Sequence, residues 1–135
     1  MDIQELVDNF EILEDWEDRY KYLIDLGNKL PPMDDSLKTD ATKVRGCMSQ
    51  VWMLPRWNED GRLSLLADSD AQIVKGLIAV LMAIFAGRTR EEIAGIDVEK
   101  TFGSLGLDQH LSPNRRNGFF SMVEAVKAFT SGPCT

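Results

Sequence analysis

Between Ala71 and Phe85 the chain carries Leu77, Ile78, Val80, Leu81, Met82, Ile84 and Phe85, apolar almost all the way round once Lys75 and Gly76 are passed. A helix with no polar face must be covered by its neighbours, so this stretch is expected to be a central helix around which the other elements pack. Its longest apolar run, Leu77 to Ala86, is ten residues and too short to span a bilayer. Ser69-Asp70-Ala71-Gln72 reads as a capping box, with Ser69 as N-cap and Gln72 at N3, and Gly87 ends the helix.

The remaining pattern supplies the cover. Ile3, Leu6, Val7 and Phe10 mark a short amphipathic helix over about 2–9, and Trp16, Tyr20, Leu23, Ile24 and Leu30 mark a second up to Pro31-Pro32. Residues 33–42 read as a polar connection with one helical turn at most. A strand over about 49–56, turn residues Asn58-Glu59-Asp60-Gly61 and a strand over about 62–66 make a hairpin. A further strand near 42–45 would complete a small antiparallel sheet, which needs helices on one face to be stable. Thr89-Arg90-Glu91-Glu92 opens a short helix as a capping box, and Asp97 caps another towards Leu105. Ser112-Pro113 starts the last, which runs to about Phe129. The expected class is α+β, one domain over residues 1–135.

Composition narrows the function. Hydrophobic residues at 44% and charged residues at 27% belong to an ordered globular chain. A net charge of −7 argues against a protein that grips nucleic-acid phosphates. The N-terminus has neither a basic segment nor an apolar core of the secretory kind, so a cytoplasmic protein with reduced thiols is expected. Only Cys47, Cys134 and His110 are available as soft ligands, too few for a zinc or iron–sulfur site, and no metal or cofactor is expected.

The chemistry concentrates in Val44-Arg45-Gly46-Cys47-Met48-Ser49-Gln50-Val51-Trp52. Gly46 permits a bend closed to other residues, and the apolar strand begins just after it. The thiol is thereby displayed at the mouth of a strand, unless it is simply a small core hydrophobe. His110 is a candidate partner for a cysteine hydrolase, although a loop histidine bonded to backbone explains it as well. Asp68 and Asp70 read as an acid/base pair or as helix capping. Arg115 and Arg116 stand in the first turn of the last helix, where the macrodipole disfavours cations, which hints at an anion or thiolate nearby.

Three blocks together resemble a known family: Gly46-Cys47-x-Ser49-Gln50-Val51-Trp52; Asp68-Ser69-Asp70-Ala71-x-Ile73-Val74-Lys75-Gly76-Leu77-Ile78-Ala79-Val80; and Gln109-His110-Leu111-Ser112-Pro113-x-Arg115-x-x-Gly118. In this order and spacing, and with Trp16-Glu17 and Leu26-Gly27-x-x-Leu30-Pro31 before them, they resemble the SufE/CsdE sulfur acceptors of iron–sulfur cluster assembly. The resemblance implies the SufE/NifU (IscU-like) fold, with about three strands packed by helices. It implies that Cys47 carries a persulfide. From the residues themselves, Arg45 and Arg115 are candidates to favour its thiolate and Met48 or Trp52 to line a protecting pocket, with Gly46, Gln50, Asp70 and His110 completing the supporting set. The resemblance further implies a pyridoxal-phosphate-dependent SufS/CsdA-like cysteine desulfurase as donor and a SufBCD-type scaffold as recipient, with a homodimer possible. The competing expectation is an allosteric activator of a desulfurase in which Cys47 carries no sulfur.

Overall fold

The computed structural model describes residues 3–44 and 50–131. Its elements run α1 (Ile3–Ile12), α2 (Trp16–Asn28), a 3-10 turn (Asp35–Leu37), β1 (Val51–Trp57), β2 (Leu63–Ser69), α3 (Gln72–Phe85), α4 (Arg90–Ala94), α5 (Val98–Ser104), α6 (Leu107–His110) and α7 (Pro113–Ser131). The architecture is α+β, and α3 is the hub: α1, α2, α7 and β2 all pack on it. Leu77, Ile78, Val80, Leu81, Ile84 and Phe85 are buried, as a helix with no polar face requires. Among the described residues no helix is long and apolar enough to cross a membrane.

The apparent blemish in α3 is what lets α2 approach. A Cβ placed on Gly76 would stand 2.5 Å from the Leu23 carbonyl oxygen, and one on Gly27 would stand 2.7 Å from the Gly76 nitrogen. The two helices touch backbone to backbone, which only residues without side chains allow.

β1 and β2 form an antiparallel hairpin in the register Val51↔Ser69 to Trp57↔Leu63. Asn58 N–H donates to the Arg62 carbonyl at 2.8 Å, and Gly61 turns the chain with φ 79°. Val51, Met53, Leu63, Leu65, Ala67 and Ser69 point inward and are buried, while the intervening residues point out. Among the described residues the third strand is reduced to a single bridge between Lys43 and Trp52. Two bonds hold it, Val44 N–H to the Val51 carbonyl at 2.8 Å and Met53 N–H to the Thr42 carbonyl at 2.7 Å. Pro55 falls on this same outer edge, where its missing N–H costs no ladder bond. Among the described residues the sheet therefore has two strands and a bridged flank where about three strands are expected.

Other boundaries move for identifiable reasons. β2 runs on to Ser69, so Ser69 ends a strand and does not cap α3; the N-cap is Ala71, without a side-chain bond. The helix capped by Asp97 ends at Ser104, close to the expected Leu105, and beyond Gly106 in the left-handed region (φ 73°) a further short helix, α6, appears that the sequence pattern did not indicate. The Thr89–Glu92 box is formed, with both reciprocal bonds. Asp97 accepts from Lys100 N–H, and Ser112 Oγ accepts from Arg115 N–H.

Candidate functional site

Arg45, Gly46, Cys47, Met48 and Ser49 lie outside the described residues, as does Cys134. What is described is the frame from which the Cys47 stretch departs and to which it returns. On the near side Val44 is bonded to β1 as above. On the far side Gln50 is fastened to the end of β2: its N–H donates to Asp70 Oδ1 at 3.1 Å, and its carbonyl accepts from Ser69 Oγ at 2.7 Å and from Asp70 N–H at 3.3 Å. Ser69 is buried and its oxygen also accepts from Ala71 N–H at 3.2 Å. One hydroxyl and one carboxylate thus join the end of the stretch, the end of β2 and the start of α3. Both residues that bound the stretch are held by the same sheet terminus, and Cys47 stands three residues from each.

Beside this frame lies an ionic cluster. Lys38 Nζ is 2.9 Å from Asp68 Oδ2 and 3.2 Å from Asp35, and Lys75 Nζ is 3.5 Å from Asp68 Oδ1. Lys38 also lies over the Trp52 ring at 5.3 Å, while Trp52 and Asp68 face each other across the strands. Burial by itself would raise the Asp68 carboxyl. The hydrogen bonds from Lys38 and from Ser69 N–H, with the charges of Lys75 and Lys38, outweigh it and hold Asp68 below the usual carboxylate range. Lys38 is raised, chiefly by its bond to Asp68 and then by that to Asp35.

The sign of the pH effect follows. A depressed carboxyl stabilises the fold above its unfolded value of about 3.9 and loses that contribution as pH falls through the lower folded value. A raised lysine contributes below about 10.4 and loses its contribution as pH rises through the higher folded value. The cluster is therefore at full strength between about pH 4 and pH 10. Asp68→Asn is expected to lower the urea midpoint at pH 7, with the gap to the parent narrowing below pH 4; an equal gap at both would show that Asp68 acts by shape and not by charge.

Of the supporting residues, Gln50, Trp52 and Asp70 converge on this frame. His110 ends α6 with its ring stacked on Trp16 at 3.9 Å, and its carbonyl accepts from the Tyr20 hydroxyl. These contacts are with α2. Arg115 is exposed in the first turn of α7. Lys38 and Asp68 are additions: Lys38 was hidden in a polar connection, and Asp68 was readable as half of an acid/base pair or as helix capping, with no sign of a lysine partner. The hairpin register offered the missing signal, since a turn centred on Asp60 pairs Asp68 with Trp52.

Comparison with known proteins agrees with this picture. Residues 4–130 match the family model described as SufE, Fe-S metabolism associated domain. The chain is 43% identical over 133 residues to an uncharacterized SufE-like protein of Rhizobium meliloti, covering 96% of this chain and 95% of that one. It is 41% identical over 128 residues to another from Rhizobium etli, covering 93% and 86%. A solution structure of a hypothetical protein from Thermus thermophilus superposes with a TM-score of 0.76 at 19% identity, covering 95% of this chain and 92% of that chain, and so shares the fold. With a family model spanning nearly its whole length and relatives above 40% identity, this chain belongs to the SufE family, whose role lies in iron–sulfur metabolism.

Proposed function

We propose that the protein is a cytoplasmic sulfur carrier that takes persulfide sulfur from a cysteine desulfurase onto Cys47 and delivers it for cluster assembly, stimulating the desulfurase as it does so. The observation that carries the reading is the double attachment of the Cys47 stretch, at Val44 and at Gln50, to one end of the sheet. A short segment anchored at both ends on a rigid frame presents a nucleophile without exposing the core. In the transfer the Cys47 thiolate attacks the outer sulfur of the donor's persulfide. The donor's S–S bond breaks, a new S–S bond forms on Cys47, and the donor cysteine leaves as thiolate, so that no outside oxidant or reductant is needed. An ordinary thiol of pKa about 8.5 is only a few per cent ionised at pH 7, so the rate should rise with pH through that range.

The donor is a SufS/CsdA-like desulfurase, to which pyridoxal phosphate belongs, and the recipient is a SufBCD-type scaffold. Intact-mass measurement after incubation with desulfurase and cysteine tests the reading. Desulfurase turnover adds a second check: Cys47→Ala is expected to abolish the stimulation, whereas undiminished stimulation would assign the protein the role of a non-carrying activator.

A further inference from the structure

The side of the hairpin turned away from α3 takes no part in the core. Its residues are Trp52, Leu54 and Arg56 on β1 and Asp68, Leu66 and Ser64 opposite them on β2. Trp52, Leu54 and Leu66 are half-buried, yet none belongs to the buried cluster or to the partly covered side chains packed against it. Trp57, on the inward side, does belong, through its stack on Phe129. The outward face is thus an apolar strip with a cation at each end. Lys38 lies over Trp52 and is matched by Asp68, whereas Arg56 is exposed and, among the described residues, makes no ion pair.

We propose that this strip is the surface on which the sulfur-donating desulfurase docks, setting an apolar side chain against Trp52, Leu54 and Leu66 and a carboxylate against Arg56. The inference rests on the sulfur-carrier reading. Two features select that occupant. The strip is continuous with the frame of the reactive stretch, because Trp52 is two residues from Gln50; a protein that reaches Cys47 meets this end of the hairpin. Its size also speaks against a lasting partner. Strands of seven residues rise about 3.3 Å per residue and lie about 4.8 Å apart, which gives the pair a face on the order of 200 Å². A stable complex buries about 800 Å² on each partner, so the strip suits one part of a transient encounter better than self-association of this chain. Arg56 supplies the charge complement that orients such an encounter.

The test measures the rate at which Cys47 acquires sulfur from a cysteine desulfurase as the carrier concentration is varied. The double variant Leu54→Ser/Leu66→Ser is expected to raise the half-saturating concentration by about tenfold, with the maximal rate kept. Arg56→Glu, at an exposed position, is expected to raise it by about threefold at low salt and less at high salt. If circular dichroism shows the double variant unfolded, Arg56→Glu alone decides. An unchanged half-saturating concentration in either folded variant overturns the proposal. Sedimentation that finds a parent dimer, lost in the double variant, overturns the assigned occupant in favour of a second copy. A parent protein that acquires no sulfur at all would instead sink the carrier reading, and the docking surface with it.

Discussion

Cys47→Ser is expected to abolish the gain of about 32 Da that the parent chain shows after incubation with desulfurase and cysteine. The effect is all-or-none for a chemical reason. A serine hydroxyl is not ionised at neutral pH and cannot displace a thiolate from a persulfide to hold the sulfur in an S–S bond. Exchanging sulfur for oxygen changes almost nothing in volume, so the variant's circular dichroism and melting temperature should stay with the parent's, separating lost chemistry from lost fold. Cys134→Ser is expected to load fully. Sulfur found on the Cys47→Ser chain, or mapped by peptide mass to Cys134, would refute the assignment.

The second large effect is on stability. Gly76→Val is expected to destabilise the protein by about 3 kcal/mol, lowering the melting temperature by roughly 10 °C for a chain of this length. Gly76→Ala should also lower it, and that variant is the sharper test. In an ordinary helix interior alanine is favoured over glycine by about 1 kcal/mol, so propensity alone predicts stabilisation. Here the new Cβ would meet the Leu23 carbonyl oxygen at 2.5 Å, an atom fixed in the backbone of α2, and the helices would have to part. Gly87 offers the contrast: an added Cβ there meets nothing within 4 Å, and only its φ of 78° resists substitution, so Gly87→Ala should cost less. A melting temperature for Gly76→Ala at or above the parent's would show that α2 and α3 are not so tightly opposed in solution.

The hub helix, the hairpin and the capped starts of α4 and α5 were legible because each is written in a local pattern. A nearly continuous apolar run has to be buried, alternation has to put one side inward, and a Thr-x-x-Glu box closes on itself wherever the chain goes. The assignment of Cys47 as the reactive residue rests on a different kind of signal, a cysteine after a glycine inside blocks that resemble a family. The misreadings share a cause. Ser69 fits a helix cap by local rules, yet the strand register carries it into β2 and turns its hydroxyl towards Gln50. Gly76 carries no local sign of its role, which only the close approach of α2 supplies.

Local physics, then, decided which segments coil and which extend. Tertiary structure alone decided what lies beside what: Lys38 against Asp68 and Trp52, Gln50 against Ser69 and Asp70, His110 against Trp16 on another helix. The reason is range. Helix caps and strand alternation act over a few residues, whereas partners 14 to 94 positions apart meet only once the core has closed around α3.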